Sequence, residues 1–196
     1  LDYHKTMKSY LNAKLTLFSK LLTKKNYVIS DKFIKEFKIL KKISKKNNLK
    51  LLNITNTLNE IKNTSISLPG HFQKKNLSMA ILAAQLCGFK KTKIIQTLKK
   101  IKSIDGRLEL IKKFPNNIKV FIDYAHTPDA LFEAIKSIRY TYSNNISVVF
   151  GCGGERDFKK RPLMAKIVKL HCKKIYVTDD NPRKENPAKI RKEIIK

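Results

Sequence analysis

From residue 119 onward, apolar segments of strand length alternate with helical patterns. The strand candidates are "KVFID", "ISVVFG" and "KIYVT", and the helix candidates are "HTPDALFEAIKSIRY", "RPLMAKIVKLHC" and "NPAKIRKEII". Strands that alternate with helices favour a parallel sheet, because each helix carries the chain back across the sheet before the next strand begins. The sequence therefore predicts an α/β fold with a mainly parallel sheet.

The first of these helices has a clear start signal. Thr127 is the expected N-cap, and Pro128 takes the first helical position, where a missing N–H costs nothing. The apolar positions recur at helical spacing and predict one buried face. They are Leu131, Ala134, Ile135 and Ile138.

Three charged loops follow the three predicted strands: "DYAHTPD", "GCGGERD" and "DDNPR". In a parallel sheet, ligands bind in the crevice beyond the carboxyl ends of the strands. The sequence therefore predicts that these loops line one binding crevice.

The glycine-rich loop does not match the common phosphate-binding signatures. A dinucleotide fingerprint needs glycine at position 156, where Arg156 stands, and the chain has no G-x-x-x-x-G-K-[ST] sequence. The loop offers instead a guanidinium, which can grip a carboxylate with two hydrogen bonds, beside the acids Glu155 and Asp157. This combination favours a zwitterionic ligand, and the alternative is a solvated turn with incidental charges.

The other two loops carry similar chemistry. In "DDNPR", Pro182 fixes its own φ and restricts the backbone conformation of Asn181, which holds Asn181 and Arg183 in a defined orientation. The alternative is an ordinary Asn-Pro turn. In "DYAHTPD", Asp123 directly follows a strand and could bind ribose hydroxyls, while His126 at a helix start could face phosphate. A structural histidine is the alternative.

The first half of the chain also mixes helices and short strands. We predict a helix from Met7 to about "TKKN", a strand "YVIS", a helix capped by Asp31, and a strand "LKLLNIT". Two more helices follow, from about Asn76 to Cys87 with Gly88 as terminator, and from Thr92 to about Lys102. From about residue 105 onward, apolar strands alternate with helices that start in proline. This change in pattern predicts a domain boundary between residues 104 and 105.

The net charge of +28 and the pI of about 10.1 suggest a polyanionic partner. However, 37 of the 43 basic residues are lysine, and they are spread along the whole chain. This pattern is typical of a coding bias toward A and T, whereas nucleic-acid readers concentrate arginine and aromatic residues. A basic nucleic-acid-binding module remains the alternative function, and no specific nucleic acid is expected.

Cysteine usage and hydropathy indicate the compartment. The three cysteines, Cys87, Cys152 and Cys172, are odd in number and widely spaced, which supports neither disulfides nor a zinc site. The longest apolar runs, such as residues 79–89, are far shorter than the ~20 residues that cross a membrane. We expect a cytoplasmic protein with no membrane partner.

Six blocks, taken together and in order, resemble the Mur ligases, and specifically their diaminopimelate-adding branch. The blocks are "LDYHKTMKSYLNAKLTLF", "LPGHFQKKNLSMAILAA", "GRLELI", "IDYAHTPDAL", "VFGCGGERDFKKRPLM" and "TDDNPR". The resemblance implies that residues 1–104 are the last part of a central ATP-binding domain. Residues 105–196 would then be the first part of a Rossmann-like carboxy-terminal domain that binds the amino acid.

The resemblance also assigns roles to residues of the first half. The lysine of "NAKLTLF", Lys14, matches a lysine that CO2 converts to a carbamate, which makes it a catalytic residue and a ligand for Mg2+. Asn76 matches a residue that holds the adenine of ATP. His71 and Gln73 stand where this family usually has arginine and asparagine, and Lys5 replaces a common glycine.

In the second half, the resemblance places Arg107 against the nucleotide, Asp123 on the ribose and His126 near the phosphates. It assigns the remaining three residues to diaminopimelate, and these are Arg156, Asn181 and Arg183. The "DNPR" form matches ligases that add diaminopimelate rather than lysine, because Arg183 can bind the distal carboxylate that lysine lacks.

The implied reaction adds meso-2,6-diaminopimelate to UDP-MurNAc-L-Ala-D-Glu during peptidoglycan biosynthesis. The D-glutamyl carboxylate attacks the γ-phosphate of ATP to give an acyl phosphate, which the amine of diaminopimelate then displaces. A monomeric enzyme that uses ATP and Mg2+ is expected, and a Mur ligase that adds a different amino acid is the alternative.

The ends of the sequence suggest a piece of a longer protein. The chain starts at Leu1, without an initiator methionine, and stops inside a helical pattern. The resemblance places an ATP-binding P-loop and a metal-binding histidine upstream and a "GKGHE" segment downstream. We therefore expect the 196 residues alone to be inactive.

Overall fold

The computed structural model describes residues 3–62, 64, 66 and 68–196. They form two compact units, Leu1–Ile101 and Lys102–Lys196, which divide close to the predicted boundary after residue 104. Both units contain helices together with parallel strand pairs. The α/β fold class predicted from the sequence is therefore confirmed.

The first unit contains five α-helices and two strands among the described residues. The helices are α1 (Met7–Thr16), α2 (Phe37–Lys46), α3 (Thr55–Ile61), α4 (His71–Leu86) and α5 (Lys91–Leu98), and the strands are β1 (Tyr27–Ser30) and β2 (Lys50–Asn53). A π-helical turn, Leu17–Leu21, continues α1. The two strands pair in parallel from Tyr27 opposite Lys50 to Ser30 opposite Asn53, with α2 between them in the chain.

The predicted role of Asp31 as the cap of α2 is wrong. The helix begins at Phe37, and Asp31 instead lies in a turn in which its Oδ1 accepts a hydrogen bond from the Phe33 amide at 3.0 Å. The side chain is buried, and Nζ of Lys75 lies 2.6 Å from its Oδ2. A buried carboxylate needs a partner of opposite charge, and this ion pair takes precedence over capping.

The end of α4 agrees with the prediction, whereas its start does not. Gly88 has a left-handed φ of 89°, its amide donates to the carbonyl of Gln85, and the Phe89 amide donates to that of Ala84. This pattern is a Schellman cap, which favours glycine because no Cβ opposes positive φ. The helix starts at His71, earlier than the predicted Asn76, so Asn76 lies in its second turn.

The second unit contains four strands and three helices. The strands are β3 (Glu109–Lys113), β4 (Lys119–Ile122), β5 (Ser147–Phe150) and β6 (Lys174–Val177), and the helices are α6 (Pro128–Thr141), α7 (Lys160–His171) and α8 (Pro187–Ile195). The cap of α6 is confirmed, since Oγ1 of Thr127 accepts a hydrogen bond from the Ala130 amide at 3.3 Å and Pro128 opens the helix.

The strand pairing of the second unit differs from the prediction at one place. β5 and β6 pair in parallel, with α7 between them in the chain, as expected. β4, however, pairs antiparallel with β3, a strand that was not predicted. The turn between them contains Pro115 and a left-handed Asn117 (φ 59°), and it closes with the Phe114 amide bonded to the Ile118 carbonyl at 2.8 Å. Proline and asparagine between two apolar runs are a hairpin signal.

Buried apolar side chains from α6, α7, α8 and β5 form the core of the second unit. They are Leu131, Ile135, Ile146, Phe150, Cys152, Met164, Val168, Ile190 and Ile194. Ile146 and Cys152 flank β5, so the core lies directly beneath the strand that leads into the glycine-rich loop. In the described part of the chain, no helix is long and apolar enough to cross a membrane.

Candidate functional site

The glycine-rich loop and the Asn-Pro loop follow neighbouring parallel strands and pack on each other. We call residues 151–157, after β5, the Gly loop, and residues 178–185, after β6, the Asn-Pro loop. The Gly154 amide donates to the Asn181 carbonyl at 2.9 Å, and the Arg183 guanidinium donates to the Gly154 carbonyl at 2.5 Å. Hydrogen bonds in both directions therefore join the two loops.

The glycines of the Gly loop allow this close approach of two backbones. A Cβ on Gly154 would lie 1.9 Å from the carbonyl oxygen of Pro182, and one on Gly151 would lie 2.5 Å from that of Thr178. Both distances are far shorter than any van der Waals contact, so no side chain fits at either position. The glycines thus serve the packing of one loop against the other.

We expect Gly154→Ala to destabilise the second unit by about 3 kcal/mol, the upper part of the range for overpacked sites. The added methyl group would meet backbone, which cannot move aside as a flexible side chain can. Urea denaturation of the chain measures the effect.

Gly106→Ala is the matched control for that substitution. Gly106 has a left-handed φ of 66°, but nothing lies within 4 Å of its Cβ position. Its replacement should therefore cost only the backbone strain of about 1–2 kcal/mol. Equal losses for the two variants would contradict the steric role of Gly154.

The three residues predicted to bind the amino acid lie on these two loops. Arg156, Asn181 and Arg183 are all exposed. Asn181 accepts a hydrogen bond from the Arg183 amide at its Oδ1, at 3.1 Å. Arg183 (φ 49°) and Glu155 (φ 50°) have left-handed backbones, which in residues other than glycine cost about 1–3 kcal/mol each.

A buried arginine, Arg161 at the start of α7, supports both loops from below. Its side chain is only 1% exposed. Its guanidinium donates to both carboxylate oxygens of Glu185 at 3.0 Å, to Glu193 at 2.6 Å and to the carbonyl of Gly153 at 3.3 Å. Glu185 in turn accepts a hydrogen bond from the Glu155 amide at 2.5 Å. Sequence reasoning missed this network, because burial is the feature that separates Arg161 from the other arginines.

Arg161 and Glu185 each stabilise the charged form of the other. Hydrogen bonds from Arg161 and from the Glu155 amide lower the pKa of Glu185. The hydrogen bond to Glu185 raises the pKa of Arg161, burial opposes this, and the bond to Glu193 adds to the increase. The carboxylate and the guanidinium therefore stay charged at neutral pH, and each holds the other in place.

Asp123 follows β4 and joins two backbone segments. Its Oδ2 accepts from the Leu108 amide at 2.8 Å, and its Oδ1 accepts from the Ala125 amide at 2.9 Å. The Tyr124 amide also donates to the carbonyl of Gly106 at 2.8 Å. An ionised carboxylate has about four lone-pair sites, so Asp123 can accept further hydrogen bonds from the hydroxyls of a sugar.

Arg107 and His126 both lie close to the exposed Tyr124. The Arg107 guanidinium carbon is 5.4 Å from the centre of the Tyr124 ring. The centre of the His126 ring is also 5.4 Å from the centre of the Tyr124 ring, and the two rings pack edge to face. Lys160, in the first turn of α7, donates to the His126 carbonyl at 2.8 Å and so connects this loop to the helix after the Gly loop. The structure thus brings together Arg107, Asp123 and His126, three of the four residues predicted to bind nucleotide.

The other two predicted residues, Lys14 and Asn76, belong to the first unit and are exposed. Lys14 lies on α1, with its Nζ 4.7 Å from the centre of the Tyr10 ring. Asn76 follows Lys75, the partner of Asp31. Burial raises the pKa of Asp31, but the hydrogen bonds from Lys75 and the Phe33 amide and the charges of Lys75 and His71 outweigh it and leave the pKa lowered.

The described residues do not form a complete magnesium site. They contain no group of three or more His, Cys, Asp or Glu side chains that could hold a metal ion. Lys14 as a carbamate could give one oxygen ligand, whereas Mg2+ requires near-octahedral coordination. Cys152, in the Gly loop, is a core residue: burial raises the pKa of its thiol, and its Sγ lies 3.8 Å from Sδ of Met164.

The known proteins to which this chain is similar are named as ligases. The family model "Mur ligase, glutamate ligase domain" matches residues 106–196. Two relatives are each 38% identical to this chain over 100% of its length. They are the UDP-N-acetylmuramoyl-L-alanyl-D-glutamate--2,6-diaminopimelate ligases of Rickettsia bellii (strain RML369-C) and Rickettsia typhi (strain ATCC VR-144 / Wilmington). The chain spans 45% and 44% of their lengths.

A solved structure of a ligase with the same printed name also matches. It superimposes with a TM-score of 0.55 and 28% identity, covering 98% of this chain and 44% of that one. At this coverage the match extends over residues of both units.

Proposed function

The chain belongs to the Mur ligase family, and we propose that it is part of an ATP-dependent ligase that adds meso-2,6-diaminopimelate to UDP-MurNAc-L-Ala-D-Glu. The observation that carries the proposal is the joined pair of loops at the ends of β5 and β6, which presents Arg156, Asn181 and Arg183. The relatives that match the whole chain at 38% identity are named for this reaction.

The amino-acid site fits a ligand with charges of both signs. Diaminopimelate carries a carboxylate and an ammonium group at each end, and the two loops offer guanidinium groups beside the acids Glu155 and Asp157. Arg183 uses one guanidinium nitrogen on the Gly154 carbonyl. Because arginine has five N–H donors in a planar fork, Arg183 can bind the distal carboxylate of diaminopimelate as well.

The nucleotide site in this proposal is the cluster around Tyr124. Asp123 accepts hydrogen bonds from the ribose, Arg107 lies against the nucleotide, and His126 faces the phosphates. The geometry supports these roles, because backbone amides fix Asp123 while Arg107 and Tyr124 form a flat, cationic surface. For Asn76, the proposed contact with adenine rests on the family resemblance alone.

The chain contributes mainly positioning to the reaction. The D-glutamyl carboxylate attacks the γ-phosphate of ATP with release of ADP, and the amine of diaminopimelate then attacks the carbonyl of the acyl phosphate with release of phosphate. Holding the amine near the carbonyl makes this step effectively unimolecular. Mg2+, when bound, would offset phosphate charge, and Lys14 as a carbamate would give it one oxygen ligand.

The proposal also covers the organisation of the protein. Residues 1–104 belong to a central ATP-binding domain, and residues 105–196 belong to the carboxy-terminal domain that binds the amino acid. The match of the glutamate ligase domain to residues 106–196 supports the second assignment. We propose a cytoplasmic location, because ATP and the nucleotide-linked substrate are cytoplasmic, and, as a separate proposal, a monomeric protein.

The test is ADP release by the longer protein of which this chain is a part. We expect release to require both UDP-MurNAc-L-Ala-D-Glu and diaminopimelate, and lysine to replace diaminopimelate poorly. Equal rates with the two amino acids would contradict the assigned substrate and favour a Mur ligase of different specificity. The absence of substrate-dependent ADP release would contradict the ligase itself.

A further inference from the structure

We propose that Arg161 and Glu185 are positioning residues for the amino-acid site, which they hold in its binding geometry without touching the amino acid. The inference rests on the proposed function and extends it to a pair of residues below the site. Arg161 lies in the first turn of α7, and Glu185 lies at the end of the Asn-Pro loop.

The contacts of Arg161 reach both loops. It donates directly to the carbonyl of Gly153 in the Gly loop and, through its two terminal nitrogens, to the carboxylate of Glu185 in the Asn-Pro loop. Since the side chain is 1% exposed, it is removed from solvent and has few alternative partners. The guanidinium therefore fixes the distance between the two loops.

Glu185 transmits this constraint to the residues that carry the site. Its Oε1 accepts a hydrogen bond from the Glu155 amide at 2.5 Å, directly before Arg156 in the chain. Its own amide donates to the carbonyl of Pro182 at 2.9 Å, directly before Arg183. The side chain of Glu185 thus anchors the backbone beside Arg156, and its backbone amide anchors the backbone beside Arg183.

The backbone at both points is strained and needs this support. Glu155 and Arg183 have left-handed φ angles of 50° and 49°. Such conformations persist in residues other than glycine only where the surroundings enforce them. Without the Glu185 side chain, we expect the Gly-loop segment to relax, which would move the guanidinium group of Arg156 out of its binding position and weaken the support that the Asn-Pro loop receives through Arg161.

Glu185 and Glu193 form a matched pair for the test. Their side chains are similarly exposed, at 29% and 31%, and both bind Arg161. Of the two, Glu185 is the one that also accepts the Glu155 amide. Glu185→Ala and Glu193→Ala therefore each remove one charge from Arg161, but the first also releases the Gly loop.

The experiment measures steady-state kinetics of the longer ligase with Glu185→Ala, Glu193→Ala and Arg161→Lys. We expect Glu185→Ala to raise the KM for diaminopimelate about 10-fold to 100-fold, the effect of small misplacement at a site. The KM for ATP should stay within about 2-fold, because that site lies on other loops. Arg161→Lys should raise the KM for diaminopimelate by a factor similar to that of Glu185→Ala, since lysine cannot bind two carboxylate oxygens in a planar fork. Glu193→Ala should change the KM for diaminopimelate less than about 3-fold.

The remaining outcomes separate the possible failures. A merely structural role would reduce the active fraction and lower kcat for all substrates with unchanged KM, and this result would overturn the inference. Equal KM changes for Glu185→Ala and Glu193→Ala would overturn it as well. Hydrogen exchange at the Glu155 amide should be faster in Glu185→Ala than in Glu193→Ala, and equal rates would also contradict it. If the unmodified ligase shows no diaminopimelate-dependent ADP release, the proposed function itself fails.

Discussion

Replacing Arg183 by alanine in the longer ligase is expected to raise the KM for diaminopimelate about 100-fold. A hydrogen bond to a charged group contributes about 1.5–3 kcal/mol, and a two-pronged contact to the distal carboxylate contains two of them. Since 1.4 kcal/mol corresponds to a factor of ten, the loss of about 3 kcal/mol gives this change. The variant should also lose its preference for diaminopimelate over lysine, and competition between the two amino acids measures that preference.

Two further variants control for the contact that Arg183 makes with the Gly loop. Arg183→Lys keeps a positive charge that can reach the Gly154 carbonyl but loses the planar fork, so it should recover only part of the affinity. Arg139→Ala removes an exposed arginine that binds Asn144 and His171 near the far end of α6, and it should leave the KM unchanged. An unchanged KM for diaminopimelate in Arg183→Ala would contradict the assignment of the distal carboxylate.

Local signals in the sequence were sufficient where one residue determines the structure. Thr127 and Pro128 specify the start of α6, and Gly88 specifies the end of α4, because each acts through its own backbone or through hydrogen bonds within one turn. The alternation of strands and helices located all three charged loops at strand ends. These features depend on short-range geometry, which a sequence displays directly.

Long-range contacts explain what the sequence did not reveal. Asp31 looks like a helix cap, but Lys75, distant in the chain, pairs with it. Arg161 looks like one more basic residue at a helix start, but Glu185 and Glu193 surround it in the fold. Such residues become distinctive only when the tertiary structure removes them from water, because a buried charge then requires its partners.

For the Gly loop, the sequence indicated where a binding loop lies but did not explain why its glycines are needed. Their spacing excluded the standard phosphate loops, and the charged residues that follow them suggested a binding loop. The structure gives a steric reason instead, since Gly151 and Gly154 face the carbonyls of the Asn-Pro loop at distances that no Cβ permits. The glycine pattern of one loop is therefore determined by the path of the next one.

The second large effect is expected at Lys14. Lys14→Ala in the longer ligase should lower kcat at least about 100-fold, the cost of losing one preorganised electrostatic contact to a reacting group. Lys14→Arg should be equally impaired, because a guanidinium keeps the positive charge but does not form a carbamate with CO2. Lys8→Ala, which removes another exposed lysine of α1, is the matched control and should keep its activity.

The carbamate itself has a direct readout that does not depend on turnover. With 13C-labelled bicarbonate, the protein should show a carbamate carbon signal that Lys14→Arg lacks and Lys8→Ala keeps. Removing CO2 from the buffer should lower the activity of the unmodified ligase, and added bicarbonate should restore it. A fully active Lys14→Arg variant, or a carbamate signal that survives the substitution, would show that Lys14 is not the modified residue; the exposure of its side chain on α1 leaves the amine accessible to CO2 in solution.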